Sequence, residues 1–259
     1  KELWDTCPYV NEVIPYDRQA GLPNLHSHLS ALLFAKNRLW KKQFDLAIVP
    51  RWDADYYYAS YVAYLSGAPA RLGYRSNAIQ SDVFNYDRLY TALLDSNGAS
   101  RHEVEKNLEM LKALRLEIHK KDQELWLSSE DTAFADAAVK TGNRLAIAYG
   151  IGANSEKRVW PLRNFLELTR RLQKELEVSI VVLGGQKEHA PGNAFAGELG
   201  DAVINLAGKT SLRQAAAVLK KCWIYVGNDS GLMHMAAAVG ISVVEISCHP
   251  ADGSTGHYN

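Results

Sequence analysis

The chain has 259 residues and a mass of 28.8 kDa, room for one large domain or two small ones. Its 29 Lys and Arg balance 29 Asp and Glu, which argues against a dedicated nucleic-acid binder with the usual basic excess. A hydrophobic content of 47% excludes a disordered chain, and no apolar run approaches the roughly 18 residues of a membrane span.

The first half is irregular. Leu25–Lys42 and Asp55–Ser66 read as helices around the strand-like run Phe44–Pro50. Gly67–Tyr74 is punctuated by Gly and Pro and holds a short strand near Arg71–Gly73. His102–Leu114 is an amphipathic helix. The polar stretch Glu117–Asp131 marks a domain boundary, and the helix Asp131–Thr141 leads into the second half. No strand–turn–helix unit precedes Leu25, and Lys1 is not an initiator Met. An opening β–α unit is therefore expected to be missing from a chain that begins inside a longer protein.

The second half is regular. Leu145–Tyr149, Val178–Gly184, Ala202–Leu206, Trp223–Val226 and Ser242–Ile246 are short, rich in Val and Ile and continuous rather than alternating, as strands buried on both faces of a parallel sheet read. Leu162, Phe165, Leu166, Thr169, Leu172 and Leu176 form a stripe at helical spacing, and Ser211–Lys220 and Gly231–Val239 are shorter helices. Gly184–Ala202 reads as a loop. The alternation predicts an α/β, doubly wound parallel sheet. Cys7, Cys222 and Cys248 are odd in number and far apart, which excludes a disulfide framework and fits a reducing compartment. The start Lys1–Trp4 is not a signal peptide, so a cytoplasmic location is expected.

The sharpest motif is Asn228-Asp229-Ser230-Gly231-Leu232-Met233-His234, between a buried strand and an Ala-rich helix. Free backbone N–H groups at Ser230 and Gly231 and the helix dipole suit a diphosphate; an ordinary capped helix is the alternative. Gly150-Ile151-Gly152 through Lys157-Arg158-Val159-Trp160-Pro161 also joins a strand to a helix, with Lys157 and Arg158 as cations and Trp160 as a packing residue. It is not a dinucleotide fingerprint. Ser155 replaces the third Gly, and the first acid after the next strand, Glu188, lies 36 positions beyond Gly152 instead of about 20. Gly184-Gly185-Gln186-Lys187-Glu188 places that acid where ribose hydroxyls could donate to it, or forms only a tight turn. Leu206-Ala207-Gly208-Lys209-Thr210-Ser211 caps the next helix through Thr210 or Ser211 and could wall a base pocket. His234, one turn into its helix, either reaches a phosphate or packs in the core. His26 and His28 do not share a helix face, and no metal-ligand set is visible. Asp53 and Asp55 follow the first strand, where an acceptor could bind. Tyr56, Tyr57, Tyr58, Tyr61 and Tyr64 either stack on sugars or divide between core and surface. Lys36, Arg38, Lys41 and Lys42 either meet an anionic glycolipid or membrane surface or form a solvated helix face.

Taken together, these motifs resemble glycosyltransferase family nine, the heptosyltransferases of lipopolysaccharide core synthesis. The resemblance rests on Asp229-Ser230-Gly231-Leu232-Met233-His234 before Ala236–Ala238, on Gly152-Ala153 with Lys157–Pro161, and on Leu206–Thr210, Gly67–Tyr74 and His102–Asn107. It covers about Tyr9 to Ile246. It implies a GT-B fold of two Rossmann-like domains facing across a cleft: an acceptor-side domain over residues 1–125 and a donor-binding domain over 126–259.

The resemblance also implies roles. The backbone of Ser230, Gly231 and Leu232 would hold the donor diphosphate, with Arg158 matching the family's phosphate-binding Lys and Lys157 beside it. Asp229 would face the transferred sugar, Glu188 the ribose and Thr210 the adenine. The reaction implied is an inverting, metal-independent transfer of heptose from ADP-heptose to a lipid-anchored acceptor at the cytoplasmic membrane face, with no cofactor and no nucleic acid. The family's catalytic base is an Asp in the first strand–helix turn, upstream of Lys1 here, so no residue inherits it and the 259-residue chain is expected to transfer sugar poorly. Two rivals are a family member using another nucleotide sugar and a non-catalytic nucleotide- or glycan-binding protein. An NAD-dependent oxidoreductase is more distant.

Overall fold

The computed structural model describes residues 1–17, 25–52, 55–76, 85–95 and 102–247. Asp53, Cys248 and the closing Gly253–Asn259 lie outside them. The described residues form two units, one holding Ile14–Lys121 and the other Lys1–Val13 with the residues from Asp122 onward.

In the first of these units, helix α1 (Leu25–Phe34) continues as a π-turn (Ala35–Leu39) and a 3-10 turn (Trp40–Lys42) into strand β1 (Leu46–Ile48). Helix α2 (Ala59–Leu65), strands β2 (Ala70–Tyr74) and β3 (Ala92–Leu94) and helix α3 (Glu103–Ala113) follow. The sheet is parallel, in the order β1-β2-β3. The Asp55 carboxylate caps α2, accepting from the N–H groups of Tyr57, Ala59 and Ser60. The tyrosines divide: Tyr58 is fully buried, and Tyr56, Tyr57 and Tyr64 are exposed. His28 packs on Tyr58 and Tyr61. Strand β3, which sequence reading leaves out, is a three-residue edge strand too short to show a pattern.

The second unit opens with α4 (Ser129–Ala138). It alternates β4 (Leu145–Gly150), α5 (Leu162–Glu175), β5 (Val178–Leu183), α6 (His189–Leu199), β6 (Val203–Asn205), α7 (Leu212–Lys220), β7 (Ile224–Asn228), α8 (Gly231–Ala238) and β8 (Ser242–Ile246). All five strands are parallel, in the order β6-β5-β4-β7-β8. The order reverses between β4 and β7, and such a switch point is where open α/β sheets bind ligands. Successive strand residues feed opposite cores. Ala146, Ala148, Val181, Leu183 and Tyr225 pack toward α4, α7 and α8, and Ile147, Tyr149, Ile180, Val182 and Val226 toward α5 and α6.

Two expectations are corrected. The loop read between β5 and β6 contains α6. Pro191, Gly192 and Gly197 hide it in sequence, yet Pro is tolerated in a first helical turn, and a Cβ at Gly192 would meet the Asn205 amide at 2.4 Å. The opening residues, assigned by sequence to the first domain, pack instead with the unit from Asp122 onward. The Thr6 hydroxyl donates to the Trp126 carbonyl, Trp4 and Tyr9 lie against the Trp126 ring, and the Arg213 guanidinium donates to the Glu2 carbonyl.

Arg213 also donates to Asp131 at 3.0 Å, and Asp131 closes a capping box with Ser128 at the start of α4. Burial works against the Asp131 charge. The Ser128 backbone N–H and hydroxyl and the Arg213 guanidinium outweigh it, holding the carboxyl below its ordinary value. A depressed folded-state value contributes stability above the ordinary carboxylate range, lost as pH falls through the lower value. Asp131→Ala should cost about 2 kcal/mol at neutral pH in urea unfolding, and the gap from the unaltered chain should close in acid. A pH-independent gap would show that the charge contributes nothing.

Candidate donor-binding site

The carboxyl ends of β4, β5 and β7 and the start of α8 enclose a cleft of about 750 Å³. Glycine makes room where the ends of β4 and β7 adjoin. Gly150 and Gly227 are paired neighbours on β4 and β7, and the Tyr225 hydroxyl occupies the space beside both. A Cβ at Gly150 would lie 1.8 Å from that hydroxyl, and one at Gly227 would meet the Gly150 carbonyl at 2.7 Å. Burial pushes the Tyr225 phenol up to about 12, so it stays neutral, 3.5 Å from the Ser230 hydroxyl.

Asn228 fixes the two loops at the switch point. Its side chain is fully buried, its Oδ1 accepts from the Trp160 backbone N–H at 2.8 Å, and its Nδ2 donates to the Gly152 carbonyl at 3.5 Å. In sequence Asn228 passes for a helix cap, and only the fold reveals a strut. The cap of α8 is Ser230, whose backbone is extended and whose side chain makes no capping bond. The Met233 N–H donates to the Ser230 carbonyl at 3.1 Å, and no side-chain cap takes the N–H groups of Gly231 and Leu232, so the start of α8 keeps capacity for an anion. Arg158 lines the same cleft, its guanidinium 3.1 Å from the Asp229 carboxylate. Trp160 packs edge-on against Phe165, the packing role read from sequence.

Glu188 closes the opposite side. Its Oε2 accepts from the Gly185 N–H at 2.8 Å, and its side chain fills the space that Gly152 and Gly184 leave open. The loop Leu206–Ser211 is joined to this wall by the Gly208 N–H donating to the Gly184 carbonyl at 3.0 Å. Gly208 has φ +71°, and a Cβ there would meet Gln186. Behind it, His189 Nδ1 bonds the Ala207 carbonyl, and Asn205 bonds both Asn193 and the His189 carbonyl.

The cleft thus gathers Arg158, Glu188, Asp229, Ser230, Gly231, Leu232 and His234 from three separate stretches of sequence. Lys157 is exposed and Thr210 half-buried, and neither is among the lining residues; the cap of α7 is Ser211, and Leu212 lines the cleft in that region. Gln186, Leu212 and Met235 also line it and carry no signal in sequence.

The model of glycosyltransferase family 9 (heptosyltransferase) matches residues 33–259. The chain belongs to this family. It is 28% identical over 264 residues to lipopolysaccharide heptosyltransferase 2 of Escherichia coli, covering 95% of this chain and 70% of that protein. The Salmonella typhimurium heptosyltransferase 2 is 37% identical over 91 residues, 34% of this chain and 26% of that one. Among solved structures, a family 9 glycosyltransferase from Veillonella parvula superposes with a TM-score of 0.77 at 19% identity, over 94% of this chain and 68% of that one. E. coli ADP-heptose lipopolysaccharide heptosyltransferase II superposes at 0.63 with 24% identity, over 85% of this chain and 66% of that one. These likenesses establish two Rossmann-like units of the GT-B class.

A methyl group at Gly152 would stand 2.4 Å from Glu188 Oε1, the free end of a flexible side chain. Gly152→Ala should therefore displace the Glu188 side chain and break its bond from the Gly185 N–H. Calorimetry should show ADP affinity falling about tenfold, with the melting temperature lowered by about 2–4 °C at most. Unaltered affinity would remove Glu188 from the site.

Proposed function

We propose that the chain moves a heptose from ADP-heptose to a lipopolysaccharide inner-core acceptor, inverting the anomeric centre and using no metal. The observation that carries this reading is Arg158 beside the open N-terminus of α8, at the switch point of the sheet. Family membership and the names of the relatives supply the sugar and the acceptor.

In this reading the backbone of Ser230, Gly231 and Leu232 holds the diphosphate, with Arg158 as its cation, His234 one turn further along α8 and Lys157 adding charge at the rim. Asp229 faces the heptose. Glu188 accepts from the ribose hydroxyls, and Thr210, in the loop before α7, stands on the adenine side. An acceptor hydroxyl attacks the anomeric carbon from the face opposite the diphosphate. The bond from that carbon to the phosphate oxygen breaks, its electron pair stays on ADP, and a carboxylate base takes the acceptor proton. The base is not assigned to a residue of this chain. Charge grows on the leaving diphosphate, where oriented N–H groups and a guanidinium stabilise the transition state more than the ground state; one such donor is worth about 3–4 kcal/mol in other enzymes. The acceptor is lipid-anchored, so the work is done at the cytoplasmic face of the inner membrane.

Titration calorimetry with ADP, UDP, GDP and NAD tests the assignment. ADP should bind best, and Arg158→Ala should weaken it about 10- to 100-fold, the loss of a charge-assisted hydrogen bond. Preference for UDP or GDP would keep the family and discard the heptose donor, and NAD binding would favour an oxidoreductase.

The pairing of Arg158 with Asp229 adds a second expectation. Asp229→Asn should tighten ADP several-fold, because the guanidinium is released to the diphosphate, while ADP-heptose should gain less because its sugar loses a partner. Equal gains for both ligands would take Asp229 away from the sugar.

A further inference from the structure

We infer that Tyr225 is a positioning residue for the donor site: its hydroxyl holds the Ser230 hydroxyl away from the helix that Ser230 begins, and so keeps the start of α8 open to a diphosphate. The inference deepens the donor reading proposed above and rests on it for the ligand.

Helices α4, α7 and α8 each follow a serine, which allows a comparison within one chain. The Ser128 side chain accepts from the Asp131 N–H, and the Ser211 side chain accepts from the Gln214 N–H. Ser230 stands at the same position of α8, and its side chain makes no capping bond. Its ψ of 169° matches theirs, 167° and 169°. Its φ does not: −156°, against −82° and −69°. That rotation carries the Ser230 Oγ off its own helix and to 3.5 Å from the Tyr225 hydroxyl. Serine is favoured before a helix because it caps, so a serine that does not cap is held by something else.

Tyr225 is fitted to hold it. The side chain is fully buried, and its hydroxyl occupies the space beside Gly150 and Gly227. Burial keeps the phenol protonated, so it has a hydrogen to donate. A buried hydroxyl left without an acceptor is costly, and the Ser230 Oγ is an acceptor within reach. With the phenol donating, the Ser230 hydroxyl retains its own hydrogen, and Ser230 lines the cleft. The contact therefore acts twice. It spares the Leu232 N–H, which a capping serine would compete for, and it leaves a serine O–H to donate to an anion oxygen. Phenylalanine would fill the same space and do neither.

Two measurements on the full chain test this, the first without nucleotide. Amide hydrogen exchange, followed by nuclear magnetic resonance, compares the unaltered chain with Tyr225→Phe, Ser230→Ala and the double variant. Tyr225→Phe should slow exchange at Leu232 or Met233 about fivefold, because the freed serine caps α8, and adding Ser230→Ala should abolish the slowing. In titration calorimetry, Tyr225→Phe should weaken ADP about fivefold and cost nothing further in a chain that already carries Ser230→Ala. Unchanged exchange in Tyr225→Phe would overturn the inference whatever the nucleotide does. So would an unaltered ADP affinity in that variant, or losses that add in the double variant, which would show the ring acting through packing alone. Slowed exchange together with no ADP binding by the unaltered chain would remove the donor reading and leave the hold of Tyr225 on Ser230 in place.

Discussion

One buried amide holds the switch point together. Asn228 ends β7 with its side chain sealed from solvent, and its oxygen takes the backbone N–H of Trp160, 68 residues earlier. Without that acceptor, the Trp160 N–H would lose its partner beside a fully buried side chain. An unpaired buried donor costs about 1–3 kcal/mol, enough to favour another loop conformation. The bond therefore sets where the segment from Gly152 to Trp160 runs, and with it where Arg158 stands. Asp229, the next residue along, receives that guanidinium. The position of the cation thus depends on a hydrogen bond that never touches a ligand.

Space is the second constraint, and glycine supplies it. Gly150 and Gly227 leave room for the Tyr225 ring under the strand ends, and Gly152 and Gly184 leave room for Glu188 over them. A strand glycine ordinarily weakens a sheet, so Gly150 and Gly227, paired on β4 and β7, fit close approach of the Tyr225 ring better than loop flexibility.

Much of this architecture was legible because parallel strands buried on both faces carry no alternation. Val178–Leu183 is apolar but for Ser179, and all six residues are buried. The motif from Asn228 to His234 was legible because three residues with cap chemistry, Asn228, Asp229 and Ser230, stand where the strand gives way to the helix. Helix α6 was not: its apolar stripe is interrupted by Pro191, Gly192 and Gly197, and only packing against Asn205 explains Gly192. Helix α1 was read to Lys42 because periodicity does not distinguish α from π and 3-10 turns, and the chain changes among all three between Phe34 and Lys42. Within the site, sequence supplied Glu188 and Gly152 as separate candidates. Their contact joins the ends of two strands, and no local pattern encodes it.

The Arg158–Asp229 pair gives the cleft a ground state of its own. A guanidinium facing an open cleft alone would be hydrated, and binding a diphosphate would first strip that water. Paired at 3.1 Å, with the carboxylate the more buried partner, it already has a fixed direction. In the reading proposed above, an arriving diphosphate exchanges one anion for another, and the start of α8 takes up charge that Arg158 alone would not balance. The carboxylate so released would adjoin the diphosphate, where a polyhydroxylated sugar joined to it would lie. Binding of the anion and freeing of the sugar's acceptor group would then be the same event, which would favour a sugar nucleotide over a bare nucleotide.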